Sequence, residues 1–432
     1  HPELDGRSAF CARDAPLGQG ERAPLKLAIV IDRSGSMAGR PLAEAKRCAD
    51  YIIQQLGPRD RAAVVVFDDA VRVLSPSVPA EPKEPLTHAV RAIVSGGMTA
   101  LHDGWLEGAE QAAPYVASGA IARVLLLTDG QANRGETRPD VLAADCARLA
   151  ASGVSTSTYG LGANFQEELL GAMAEAGGGQ AYYGETAEDL MDPFREEFDL
   201  LSALCARKLR LKLEPNHGVD AQVLNAFRTD QEGRIMLPDL AFGGVAWALA
   251  RLRVPATLAA SPDGLVHVLS AAIDYEDNEG QAHTSPFEHL RLKRLPAAAF
   301  AALVEDEATA MRAQELRAAE LMTLARQAAQ NDDWGAVDQI LARAQAEAGQ
   351  NAWVAATIAA LQDYADQRNQ ASFSKESYYS SRKKRMRLAF GQERAGSYSF
   401  DEETGKPLYA RRKNRQGKDM DKDMGPKGEG GA

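Results

Sequence analysis

The sequence predicts an α/β protein: a doubly wound, mostly parallel sheet, followed by an antiparallel β-sandwich and a C-terminal helical segment. Three observations carry that prediction. Leu27-Ala28-Ile29-Val30-Ile31 is a run of five aliphatic residues without polar alternation, the mark of a strand buried on both faces in a helix-covered parallel sheet. From Leu25 to about Ser202 such runs alternate with helical patterns, as a doubly wound sheet requires. Beyond Cys205 strict alternation of apolar and polar residues takes over, and beyond Ala297 a composition of Ala, Glu, Gln, Arg and Leu, all good helix formers.

Taken in order, residues 1–24 contain Gly18, Gly20 and Pro24 and read as a leading strand or linker. Pro41 to Leu56 is helical, with Leu42, Ala45, Ala49, Ile52, Ile53 and Leu56 at helix-face spacing and Gly57-Pro58 as the stop. Ala62 to Phe67 is a second buried strand, with Ala70 to Leu74 as its hairpin partner and Asp68-Asp69 as a solvated turn between them. A helix from Pro85 to Ile93 leads to the glycine-rich stretch Ser95-Gly96-Gly97-Met98-Thr99, and a helix runs from Leu101 to Ala113. The strand Val124 to Leu127 follows, ending in Thr128-Asp129-Gly130, then a helix over Pro139 to Ala151 and a strand over Ser155 to Gly162. A helix over Gln166 to Ala176, a strand over Gln180 to Tyr183 and a helix from Ala187 to about Leu204 close the domain, which spans 25–204.

Polar residues gather where the buried strands end. Asp32, Ser34 and Ser36 alternate after the first strand with Gly35 allowing a tight turn, Thr99 opens the later helix, and Asp129 follows another strand. In open α/β sheets that edge is where ligands bind, and such small hard oxygen donors suit a divalent cation. This Asp-x-Ser-x-Ser, later Thr, later Thr-Asp-Gly order closely resembles the metal-ion-dependent adhesion site of von Willebrand factor A (vWA) domains. The resemblance implies hydroxyls from Ser34, Ser36 and Thr99, carboxylates from Asp32 and Asp129, and Mg²⁺, or Mn²⁺ or Ca²⁺, as the ion. It also implies a protein partner whose acidic side chain takes the ion's open position. Arg33, Asn133 and Arg134, beside the ligands, are candidates for contacting that partner, and His102 reads as a capping neighbour rather than a ligand.

Residues 205–296 contain alternating strands around Leu209 to Leu213, Trp247 to Val254, Leu265 to Ile273 and Leu290 to Leu292, which imply a β-sandwich. It resembles the β-domain of bacterial vWA proteins similar to inter-α-trypsin inhibitor heavy chains, in which the segment preceding the vWA domain completes the sandwich; residues 1–24 are expected to do so here. Residues 297–371 predict a helical hairpin or bundle, packed on the sandwich or forming a partner-binding groove, with Leu316, Leu321, Leu324 and Ala328 on one face and Val337, Ile340, Leu341 and Ala344 on the next. Residues 372–432, a basic tail, are expected to be partly disordered, with the basic cluster from Ser380 to Arg387 either in a helical extension on the acidic body or binding an acidic protein, RNA or an anionic surface.

Net charge is −11 for the 432 residues, with 16 Lys and Arg against 10 Asp and Glu from Asp366 onward and 33 against 50 before it. Nucleic acid is therefore an unfavourable partner except for the tail. No apolar run approaches a membrane span. The four cysteines are widely spaced, with Cys48 and Cys146 in helical patterns, and they favour a reducing, cytoplasmic setting; the start at His1 leaves secretion or a periplasmic setting open. No nucleophile and base pair, phosphate loop or cofactor fingerprint is present. The expected function is non-enzymatic, Mg²⁺-dependent protein binding. The alternatives are an adaptor for an ATPase-driven remodelling complex and, ranked last, a metal-dependent hydrolase with Asp68, Asp69 or His102 as base.

Overall fold

The computed structural model describes residues 5–9, 23–114, 119–129, 132–161, 166–184, scattered helical positions from 190 to 198, 201–241, 245–348, 351–385 and 388–389. A strand β1 (Asp5–Ala9) precedes the α/β domain. That domain runs β2 (Leu25–Asp32), α1 (Arg40–Gln55), β3 (Arg61–Phe67), β4 (Val71–Pro79), α2 (Glu84–Arg91), α3 (Leu101–Ala112) and β5 (Ile121–Thr128). It continues with α4 (Pro139–Ala151), β6 (Val154–Leu161), α5 (Glu167–Ala176) and β7 (Gly178–Gly184). The sheet order is β4-β3-β2-β5-β6-β7, parallel except for the hairpin edge β4.

Every residue of the central strands β2 and β5 is buried. Alternate side chains serve two different cores: Leu27, Ile29 and Ile31 face Leu42, Cys48 and Ile53 of α1 and Leu86 of α2. Ala28 and Val30 face Leu101 and Trp105 of α3, together with Leu142 of α4 and Met173 of α5. Each fully buried aliphatic side chain contributes roughly 1.5–3 kcal/mol, so the sheet is a rigid frame for what lies at its edge. Helix α3 sits unusually close to that frame. A Cβ on Gly104 would stand 2.4 Å from the Phe67 ring, and one on Gly108 would stand 2.2 Å from Val30 Cγ2. Two bare faces therefore let the start of α3, and Thr99 before it, settle over the end of β2.

The second unit contains β8 (Leu204–Pro215), β9 (Asp220–Val223), β10 (Ile235–Met236), β11 (Leu240–Ala241), β12 (Val245–Ala246), β13 (Leu249–Arg253), β14 (Leu265–Glu276), β15 (Ala282–Thr284) and β16 (Glu288–Lys293). One antiparallel sheet has the order β1-β13-β9, so the leading strand lies in this unit; the other is built on β8 and β14, with β10, β11, β15 and β16 attached. Apolar clusters join the two sheets, for example Leu252 with Val266 and Val268. The helix expected to reach Leu204 stops sooner, because Leu204 already pairs with Ala241 in the β8 ladder.

The helices are α6 (Ala297–Ala301), α7 (Glu307–Gln330), α8 (Trp334–Ala348), α9 (Ala352–Asp366) and α10 (Gln370–Arg385), with a last strand β17 (Leu388–Ala389) on β12. Helix α7 is two-sided: Leu316 packs with Trp247 and Leu249 of the sandwich, and Leu321, Met322 and Ala325 face α8 and α9. Leu324, expected in the core, is instead half exposed because it falls between those two faces. The boundary expected between 371 and 372 falls inside α10, whose Phe373, Ser377 and Ser380 are buried. Tyr378 of α10 meets α5 at Gly171, where any Cβ would overlap its hydroxyl, and the Arg326 guanidinium lies 4.9 Å from the Tyr378 ring centre. The bundle thus docks on the α/β domain as well as on the sandwich. Side chains of the basic cluster from Arg382 on, the tail beyond 389 and Cys11 lie outside the described residues. Cys48, Cys146 and Cys205 are buried. Among the described residues no helix is long and apolar enough to cross a membrane.

Candidate metal-binding face

Strands β2 and β5 are parallel neighbours with Ile31 opposite Leu127, so Asp32 and Asp129 leave the same edge of the sheet side by side. Asp32 is fully buried; one carboxylate oxygen accepts the Ser34 N–H at 2.8 Å and the other accepts the Thr128 hydroxyl at 2.6 Å. The Ser34 and Ser36 hydroxyls lie 3.2 Å apart. Thr99 is held from outside the motif: its N–H donates to Asn133 Oδ1 at 2.9 Å, and its carbonyl accepts the N–H groups of Asn133 and Arg134.

The loop carrying Thr99 is tied to the Asp32 loop by two backbone bonds, Gly35 N–H to Gly97 O at 3.0 Å and Gly96 N–H to Arg33 O at 2.8 Å. Ala100 N–H donates to the Asp68 carbonyl at 2.7 Å. Gly97 has φ of +76°, and a Cβ there would lie 2.3 Å from an Asp69 carboxylate oxygen. Glycine is needed at this position for both conformation and space.

Burial pushes the Asp32 carboxyl up to about 6; the Asp129 charge pushes the same way, and the bonds from Ser34 and Thr128 resist. The Asp129 Oδ1 is buried and, among the described residues, lacks a hydrogen-bond partner. A buried acceptor without a donor costs roughly 1–3 kcal/mol and more when charged. Two carboxylates at neighbouring strand ends, one with an orphaned oxygen, on the sheet edge that also carries three hydroxyl residues, form a donor set that fits a hard divalent cation. Among the described residues no group of three His, Cys, Asp or Glu forms a softer alternative.

The five predicted ligand positions therefore share one edge of the sheet. The neighbouring residues behave less uniformly. Asp68, expected as a solvated turn, is almost fully buried and ion-paired with Arg33, whose guanidinium also donates to Val94 O at 3.1 Å. The Arg33 side chain is only 12% exposed, so its charge is spent within the protein. Asn133 serves to hold Thr99, whereas Arg134 is half exposed and stands 3.5 Å from Asp69. His102 points away to Asp145 of α4 at 3.0 Å.

Sequence reasoning missed Thr128 as the partner of Asp32, and it missed Arg123. That guanidinium, buried in β5, pairs with Glu197, and its Nε donates to Ser155 Oγ at 2.8 Å. A lone arginine near the start of an otherwise largely apolar strand was the available signal.

Residues 26–196 match the family model of the von Willebrand factor type A domain. An uncharacterized protein of Synechocystis is 27% identical over 197 residues, which cover 45% of this chain and 45% of that protein. Inter-alpha-trypsin inhibitor heavy chain H3 of Pongo abelii is 30% identical over 185 residues, 40% of this chain and 21% of the relative. The chain thus spans less than half the length of these relatives. A solved von Willebrand factor type A structure from Catenulispora acidiphila has a TM-score of 0.62 at 19% identity, covering 77% of this chain and 82% of its own. That likeness extends the shared fold well beyond the matched segment. Motif order, sheet topology and family match agree: residues 26–196 of this chain match the von Willebrand factor type A domain and share its fold.

Proposed function

We propose that this chain is a metal-dependent protein-binding module that captures an Asp or Glu side chain of a partner protein. Ser34, Ser36, Thr99, Asp32 and Asp129 would hold the ion, with Mg²⁺ favoured and Mn²⁺ or Ca²⁺ as substitutes. The ion supplies an open coordination position for a carboxylate, a charge-assisted contact of short range. The observation that carries the reading is the buried Asp129 Oδ1, which lacks a donor among the described residues, next to an Asp32 whose charge burial opposes. Both carboxylates are stabilised once a cation lies between them and solvent.

The rim suits a protein rather than a small anion. Val94 and Met98 are large apolar side chains more than half exposed on the loop that delivers Thr99, and the half-exposed pair Arg134 and Asp69 adds polar groups nearby, Asp69 lying against Gly97 of that loop. Hydrolysis is disfavoured because two of its three candidate bases are engaged, Asp68 by Arg33 and His102 by Asp145. The test is capture from the source cell's lysate in Mg²⁺, in EDTA, and with Asp32→Ala plus Ser34→Ala. A partner retained only by the unmodified chain in Mg²⁺, and released by mutating one of its own carboxylates, supports the reading. Partners that bind alike in all three conditions overturn it.

A further inference from the structure

The outer face of the sandwich carries a second cluster, unrelated to the vWA site. His267 Nε2 and His289 Nδ1 both hydrogen-bond to the Ser270 hydroxyl, at 2.9 and 2.8 Å, and the imidazole centres are 5.5 Å apart at 69°. Regular strand alternation would put His267 and Ser270 on opposite faces, since they are three residues apart. A bulge between His267 and Leu269 changes that: His267 pairs with Arg291 and Leu269 with Leu290, leaving Val268 extra. Both Val268 and Leu269 consequently enter the sandwich core, and His267 joins Ser270 on the outer face. On the neighbouring strand His289 sits directly opposite Ser270, and on the other side Glu214 does the same. Bulges are a recurrent means of re-aiming one side chain in a sheet.

We propose that His267 and His289 form a two-imidazole chelate for a late first-row transition ion such as Zn²⁺ or Cu²⁺. A single hydroxyl has one proton to donate, so in the ion-free state one imidazole accepts from Ser270 and the other donates to it. Moving the donor's proton to its other ring nitrogen gives two lone pairs directed at one point. The Ser270 hydroxyl then turns aside, with no net proton released. Imidazole suits Zn²⁺, Cu²⁺ and Ni²⁺, whereas the all-oxygen vWA set suits Mg²⁺, so the two sites separate by ligand chemistry. Among the described residues no third His, Cys, Asp or Glu joins the pair as it stands, which leaves the remaining positions to water or to Glu214 after a rotamer change. The cluster faces solvent through His289, giving the ion an entry path.

The experiment titrates the full chain with Zn²⁺ in saturating Mg²⁺ by calorimetry and records Cu²⁺ electron paramagnetic resonance on the same samples. The unmodified chain and Asp129→Ala are both expected to take up one equivalent of Zn²⁺, with nitrogen superhyperfine structure from two imidazoles on Cu²⁺. His267→Gln with His289→Gln keeps groups able to bond Ser270 and is expected to lose that equivalent and both nitrogens without a change in melting temperature. Uptake unchanged in the double variant, or fewer than two nitrogens on Cu²⁺ in the unmodified chain, overturns the proposal and leaves a serine merely satisfied by two histidines. His283→Gln, which alters the separate His283–Asp277 pair, is the control and is expected to bind as the unmodified chain does.

Discussion

Strand β5 carries two buried charges with opposite fates. Near its start, Arg123 is fully buried and fully answered: Glu197 pairs with it, and that carboxylate also accepts the Ser157 hydroxyl at 2.7 Å and the Tyr182 hydroxyl at 3.1 Å. Burial works against the Arg123 charge, and Glu197, helped by Asp239, outweighs it. Just beyond the other end, Asp129 has an oxygen with no donor among the described residues, and its charge adds to the burden on Asp32. The first charge is neutralised from within the chain, so its work is structural. The second has no such answer among the described residues, and the ion proposed above would supply one; this contrast, rather than burial alone, sets the two ends of the strand apart.

Removing a partner should therefore act in opposite directions at the two ends. Glu197→Ala leaves the Arg123 guanidinium buried without a carboxylate and is expected to destabilise the chain by about 3–5 kcal/mol. Urea denaturation in EDTA measures this. A loss below about 1 kcal/mol would mean that the network relaxes around the arginine and that the contrast is not energetic.

Asp32→Asn is expected to stabilise the metal-free chain. The folded carboxyl, pushed up to about 6 from 3.8, holds more protons than the unfolded one between those values, so its contribution to stability falls as pH rises through that window. Above about pH 6 the full penalty applies, about 3 kcal/mol. In EDTA the variant should match the unmodified chain near pH 4 and exceed it progressively toward pH 7; other titrating groups cancel in the difference. A variant less stable at pH 7 would show that the carboxylate is favourable even without an ion.

These two ends were not equally legible in the sequence. Asp32, Ser34, Ser36, Thr99 and Asp129 were readable because each follows a buried strand or opens a helix, and the chain order alone places them at one edge. The same logic gave β2, β3 and β5, whose aliphatic runs admit no other placement. Arg123 showed locally only as a lone arginine in an apolar strand, and its pairing with Glu197 was not readable, because the two residues are 74 apart. Asp68 was misjudged for a similar reason: next to Asp69 it looks like a turn, but Arg33 reaches across from the next strand to bury it. Leu324 and the end of the helical unit were misplaced because a helix with two partners has no single apolar face, and α10 hides a buried side under a charged composition.

Adding Mg²⁺ should sharpen the contrast further. An ion that binds only the folded chain stabilises it by about 2.7 kcal/mol at one hundred times its Kd. The melting temperature is thus expected to rise with Mg²⁺ in the unmodified chain and in Glu197→Ala, and to stay flat in Asp32→Asn. A Mg²⁺ response that survives Asp32→Asn would place the ion elsewhere in the molecule.

The smallest effect should appear at Met98, which neither end of β5 depends on. Its side chain is half exposed, and replacement at such a position ordinarily changes stability by less than about 0.5 kcal/mol. Met98→Ser is therefore expected to leave urea stability and the Mg²⁺ response untouched. If a partner covers this rim, losing the apolar contact weakens capture by about 1 kcal/mol, roughly fivefold. The measurement is the Kd of the isolated partner in saturating Mg²⁺, with Arg72→Ser on exposed β4 as the surface control. Equal affinity for both variants would confine recognition to the ion and the carboxylate it holds, whereas a loss specific to Met98→Ser would show that the loop delivering Thr99 reads the residue beside that carboxylate as well.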